Sequence, residues 1–151
     1  MEYSVLKKTI FVLMFTVLLI ACDKTPDKKG GGKFGMLSSS NPEFVAIEFF
    51  EHIYSSNRLE GATELSTPKM ARLLKSYHTN KSVQKHVFNM RFDKVIIKPL
   101  SRSAGRNEFA KDAQISLFFE GELNGDILKD KRLVELIKVG NDWKVDNVSL
   151  D

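Results

Sequence analysis

Apolar residues recur at helical spacing early in the chain and in alternation later, and that change of period divides the sequence. Over residues 42–56, Phe44, Val45, Ala46, Ile47, Phe49, Phe50, Ile53 and Tyr54 form one wide apolar stripe, while Glu43, Glu48, Glu51, His52 and Ser55 keep the other side polar. This pattern predicts an amphipathic helix with a broad buried face. Ser40 with Glu43 fits a capping box, and Pro42 suits the first turn. A shorter helix is predicted over 58–65. Ser66-Thr67-Pro68 ends it and caps a third over 69–78, and a helical stretch over 81–89 follows a break at Thr79-Asn80.

Period two takes over at Phe92. The run 92–100, with Val95-Ile96-Ile97, reads as a strand that ends near Pro99, and 101–107 as a loop. Ala113, Ile115, Leu117 and Phe119 alternate with Gln114, Ser116 and Glu120. Phe118 breaks the alternation and marks an outer face that is partly covered. Asn124-Gly125 is the strongest hairpin signal in the chain. The run 133–139 is the next strand, turned by Gly140-Asn141-Asp142. Trp143 and Val145 then face away from Lys144 and Asp146, and Val148 and Leu150 continue the apolar series one residue out of phase. That slip predicts a bulge or bend near Asp146-Asn147. The expected fold class is α+β, with N-terminal helices packed on one face of a curved antiparallel sheet of about four strands. The strand positions that read inward, Ile115, Leu117, Phe119, Ile137, Trp143 and Val145, are all apolar.

The N-terminal segment has its own logic. Lys7 and Lys8 precede a run over 9–20 that is apolar except at Thr9 and Thr16, and Leu19-Ile20-Ala21-Cys22 closes it. A membrane-spanning helix needs about 20 apolar residues, so this shorter run suits a signal peptide. The arrangement resembles the lipobox of bacterial lipoproteins; a plain secretory signal or an uncleaved anchor is the alternative. The resemblance implies cleavage between Ala21 and Cys22, a diacylglycerol on the Cys22 thiol and a further acyl chain, such as palmitate, on its amine. Each buried CH₂ contributes about 0.8 kcal/mol, so two or three chains make a stable anchor where one does not. The expected partner is then membrane lipid through Cys22. The expected location is the bacterial cell envelope, lipid-anchored and extracytoplasmic, on the periplasmic side. Aspartate directly after the cysteine, here Asp23, is associated with inner-membrane retention in enterobacterial lipoproteins.

Composition sharpens this picture. Cys22 is the single cysteine, so a lipidated chain has no thiol left for a nucleophile, a metal thiolate or an internal disulfide. Loss of the leader, with Lys7, Lys8 and Glu2, takes the formal net charge from +4 to +3. Lys24, Lys28, Lys29 and Lys33 against Asp23 and Asp27 put +2 of that in the tail. The folded part is near neutral, which argues against nucleic acid as a partner. Gly30-Gly31-Gly32 and Ser38-Ser39-Ser40 mark that tail as a tether. The organisation expected is a signal peptide over 1–21, a flexible tether over 22–41 and one domain over 42–151.

No reaction is written in the remaining residues. His52, His78 and His86 lack the neighbouring ligands of a metal site and read as surface histidines. Glu48 and His52, four apart, read as a solvated helix face rather than a base–acid pair. Tyr54 suits a pocket mouth, or core packing with its hydroxyl at the edge. Lys98, Arg102, Arg106 and Lys111 suit an anionic partner or a solvated hairpin. Asn80-Lys81-Ser82 and Asn147-Val148-Ser149 match glycosylation sequons by chance. No catalytic set, metal ligand or cofactor is assigned.

The order of elements is itself informative. A lipobox, a helix opening Asn41-Pro42-Glu43-Phe44, helices after Ser66-Thr67-Pro68, then strands ending in Gly140-Asn141-Asp142-Trp143-Lys144-Val145 resemble small bacterial lipoproteins of the nuclear-transport-factor-2-like, or cystatin-like, superfamily. The resemblance covers about residues 41–151 and implies a cone whose sheet wraps the first helix. Members include isomerases, dehydratases, secretion-system components and binding or assembly modules, so fold alone does not assign function. The leading expectation is a non-enzymatic binding or assembly module that contacts a protein partner, a second copy of itself or an apolar ligand, with Phe118 and Tyr54 as the candidate surface. The alternatives are a pocket enzyme of isomerase or hydrolase type, and a secretion-system immunity or accessory lipoprotein.

Overall fold

A computed structural model describes residues 41–104 and 110–151, all within one compact unit, Met36–Asp151. The expected signal peptide, with Ala21, Cys22 and Asp23, nearly all of the expected tether, Ser40 and Arg106 lie outside the described residues. Four helices come first: α1 (Pro42–Ser55), α2 (Glu60–Glu64), α3 (Pro68–Ser76) and α4 (Asn80–His86). Four strands follow: β1 (Lys94–Ala104), β2 (Asp112–Leu123), β3 (Asp126–Val139) and β4 (Asp142–Leu150). They form one antiparallel sheet in the order β1-β2-β3-β4, and α1 packs against all four strands. The fold is α+β, as the change of period predicts.

Capping fixes the helices, with one change from expectation. Asn41, not Ser40, caps α1: its side-chain oxygen accepts from the Glu43 amide at 3.0 Å. Asn41 precedes Pro42, which holds it in the extended conformation an N-cap needs. Thr67 caps α3 and Thr79 caps α4 in the same way, so the expected break falls at residues 77–79 and Asn80 already belongs to α4. At the far end of α1 the cap comes from elsewhere in the chain. The Asn80 side-chain amide donates to the carbonyls of His52, Ile53 and Ser56 at 2.8, 3.2 and 2.7 Å, and Gln84 donates to Ile53 at 2.9 Å. Carbonyls that a helix end leaves unpaired are thus satisfied by α4.

The sheet is set by two tight turns, at Asn124-Gly125 and Gly140-Asn141, and by two bulges. Asn124 and Gly125 take positive φ (55° and 92°), which makes the two-residue hairpin between β2 and β3. β1 runs through Pro99 instead of ending there. It is an edge strand, where a missing N–H is tolerated, and a register shift between Pro99 and Ser101 leaves Leu100 as the extra residue. In β4 the shift leaves Asp146 unpaired, since Glu135 faces Asn147 while Leu136 faces Val145. This is the predicted bulge, and it aims Asp146 at α3. The Thr67 hydroxyl donates to Asp146 at 2.9 Å and the Lys69 ammonium lies 3.6 Å away. Segment 65–67 also lies along β4: Thr67 N–H donates to the Val145 carbonyl at 2.9 Å, and Val145 N–H to that of Leu65 at 2.8 Å.

The core lies between α1 and the inner sheet face. Phe49, Phe50, Ile53, Ile115, Leu117, Phe119, Leu136 and Val145 are fully buried, with Phe88 and Trp143 close behind. Phe50 meets Phe49 and Phe119 edge-on, with ring centroids 5.1 and 4.9 Å apart, the arrangement aromatic quadrupoles favour. Ile137 does not belong here. It is 38% exposed, and the inward residues of β3 are Val134 and Leu136. The tight hairpin sets this register by placing Val134 opposite Ile115 and Leu136 opposite Ala113.

Candidate functional site

The same register brings two charged residues onto the inner face. Opposite the inward Phe119 and Leu117 stand Asp130 and Arg132. Arg132 is buried, and its guanidinium donates to Asp130 at 2.8 Å. The second Asp130 oxygen accepts from the Lys131 amide at 2.6 Å. Arg132 Nε is buried with no hydrogen-bond partner. The inner face is therefore not wholly apolar, contrary to the sequence reading. Tyr54, at the end of α1, completes the polar group. Its hydroxyl donates to the Met90 carbonyl at 2.8 Å, and its ring packs on Phe92 and Phe119. Burial pushes its pKa well above the ordinary tyrosine value. The Arg132 charge works against that rise and the Asp130 charge adds to it. Tyr54 is thus a neutral donor.

Phe92 divides this end of the molecule into two clefts. Its ring lies against Gly121, where an added Cβ would come within 2.6 Å of the ring and 2.4 Å of the Lys94 carbonyl oxygen. Asp93 clamps the segment to the hairpin: its N–H donates to the Glu122 carbonyl at 2.7 Å, and its carboxylate accepts from the Asn124 amide at 2.8 Å. One cleft, of about 330 Å³, runs between residues 89–92 and the β2–β3 hairpin, with Lys85 and Asp130 also in its lining. The other, of about 310 Å³, is lined by Tyr54, Ser55 and residues 92–95. A third, of about 350 Å³, is lined by residues 57–60 together with Thr63, Lys75 and His78.

The outer sheet face is a second candidate surface. Phe118 is half-buried there, with Lys98 and Lys131 opposite it on the flanking strands. Glu120, in the next row, lies 3.9 Å from Lys98 and 3.1 Å from Lys129. Ile96, Ile127 and Ile137 are exposed on the same face.

The remaining sequence candidates are placed apart from one another. His52 packs its ring on α2, and a Cβ on Gly61 would lie 2.4 Å from it. It serves a helix–helix contact. His86 stacks on Tyr77 at 6.0 Å, and His78 ends α3 with a positive φ of 63°. Among the described residues no group of three or more His, Cys, Asp or Glu could hold a metal ion. Lys98 is drawn toward Glu120, and Lys111 is exposed. Both sequon asparagines are engaged, Asn80 by α1 and Asn147 by Glu135 at 3.1 Å.

Asp130 and Arg132 were not legible as site residues by periodicity, because strand β3 reads as starting at Leu133. A signal existed nonetheless. A two-residue Asn-Gly turn fixes every pair down the ladder, and counting back from it sets Asp130 and Arg132 opposite Phe119 and Leu117.

No protein-family model and no curated protein sequence matches the chain. Among solved structures, the chain is similar to the solution structure of a SEC-C motif containing protein from Rhodopseudomonas palustris. The TM-score is 0.56 at 11% identity, over 76% of this chain and 82% of that one. It also aligns with the intermembrane space region of the chloroplast protein ARC6, at a TM-score of 0.38 and 9% identity, over 76% of this chain and 96% of that one. The first likeness shows a shared fold alone; the second is too distant to bear on this chain.

Proposed function

We propose that this protein is a lipid-anchored, extracytoplasmic bacterial module of the nuclear-transport-factor-2-like, or cystatin-like, type that works by binding rather than by catalysis. One observation carries the binding reading. The inner face is filled by packed aromatic rings, and its charged residues Asp130 and Arg132 pair with each other, while large apolar side chains stand exposed on the outer face. The working surface is then the outer face around Phe118, and its partner is a protein or a second copy of this chain. The lipobox-like run ending in Cys22 supports the anchor.

Two measurements test this reading. Labelled palmitate is incorporated into the wild-type chain in its own envelope and not into Cys22→Ser; equal labelling of both sinks the anchor. Native mass spectrometry of the protein released from that envelope reads a dimer or a heteromer. A monomer carrying a small-molecule mass points to a pocket instead.

A pocket enzyme is the second reading, and Tyr54 favours it, as a buried ionisable group with a raised pKa beside Arg132 and Asp130. Against it, the Tyr54 hydroxyl is committed to the Met90 carbonyl and Asp130 to Arg132, which leaves neither of them as a free base.

A further inference from the structure

The cleft between residues 89–92 and the β2–β3 hairpin is lined by both apolar and basic side chains. Met90, Phe92, Leu123 and Leu128 are its apolar residues; Met90 and Phe92 are buried and Leu128 is 39% exposed. Four charged residues line it, and two of them are neutralised. Arg132 and the Lys131 amide satisfy Asp130, and Lys129 reaches Glu120 on the outer face at 3.1 Å. Lys85 and Arg91 are exposed and in no ion pair among the described residues. The uncompensated charge in the lining is therefore positive.

The walls are preformed. Asp93 ties residues 89–93 to the hairpin, Phe92 is braced on Gly121, and the Met90 carbonyl is held by Tyr54. A volume of about 330 Å³ falls at the lower end of the range for small-molecule sites. Its lining mixes four apolar residues with Lys85, Asn89, Arg91, Lys129 and Asp130, a combination that suits a ligand with both an apolar and a charged part.

We propose that this cleft binds a small, free amphipathic carboxylate, its alkyl chain against Met90, Phe92, Leu123 and Leu128 and its carboxylate on Lys85 and Arg91. Arginine presents a planar fork matched to a carboxylate and lysine a mobile point charge, so the pair recognises the head group without a further built pocket. The inference stands on the cleft alone and depends on neither the anchor nor the outer face.

The test uses the full chain, titrated calorimetrically with octanoate and, for comparison, with octylamine and octanol. Saturable octanoate binding beyond that of the buffer blank is expected, at least about ten-fold tighter than octylamine. The double variant Lys85→Gln/Arg91→Gln weakens octanoate by about ten-fold or more, the scale of a lost charge-assisted pair, and leaves octanol unchanged. Lys111→Gln, an exposed cation away from the cleft, changes nothing. Absence of saturable binding, equal binding of octylamine, or octanoate binding indifferent to the double variant would each overturn the proposal. Both substituted side chains are exposed, so the fold survives the test.

Discussion

Tyr54 and Asp130 show how single residues answer to the inner face. Burial raises the Tyr54 pKa above the usual tyrosine value of about 10, so above that pH the unfolded chain releases a proton that the native chain keeps. Stability from this group is fully present below about pH 10 and falls as pH rises further, by up to about 1.4 kcal/mol per pH unit. Tyr54→Phe is expected to cost about 1 kcal/mol at neutral pH, from the lost bond to Met90, and to flatten that alkaline decline. Urea melts of both chains between neutral pH and pH 11 check it; parallel slopes refute it. Asp130→Ala leaves the Arg132 guanidinium without its partner. Breaking a fully buried pair costs about 3–5 kcal/mol, and because Asp130 is 28% exposed we expect about 2 kcal/mol. Arg132→Met in the same chain should restore at least about half of it, since the unpaired charge is then gone. A double variant no more stable than Asp130→Ala would show that the loss lies in packing.

At the scale of elements, contacts between them override local preference. Gly61 lies inside α2 and is a poor helix former, yet it leaves room for the His52 ring of α1. Gly61→Ala should destabilise by about 1 kcal/mol or more through overpacking. In a His52→Ala background the same change should stabilise by about 0.8–1 kcal/mol, because the ring is absent and alanine is the better helix former. Thermal melts of the four chains measure the reversal; a cost in both backgrounds would place the clash elsewhere. Helix and strand existence was legible in the periodicity, and so was the Asp146 bulge, because Val148 and Leu150 slip phase by one residue. The passage of β1 through Pro99 was not, since it depends on β1 lying at the sheet edge.

Over the whole molecule, the two sheet faces divide the work. The inner face is filled by α1, and the outer face keeps Phe118 half-buried with Ile96 and Ile137 exposed. If that face is the association surface, Phe118→Asp abolishes the dimer or heteromer while changing stability by less than about 1 kcal/mol, as substitutions away from the core do. Sedimentation velocity beside a urea melt separates the outcomes. Unchanged association with an intact fold would make this face irrelevant.

The order of elements, the fold class and the hairpin were determined by the sequence, because each is local: a period or a turn pair read within a few residues. The charged pair on the inner face, the cleft beside Phe92 and the capping of α1 by Asn80 were decided only by tertiary structure. Each joins residues far apart in the chain, and strand register or helix packing determines which of them meet.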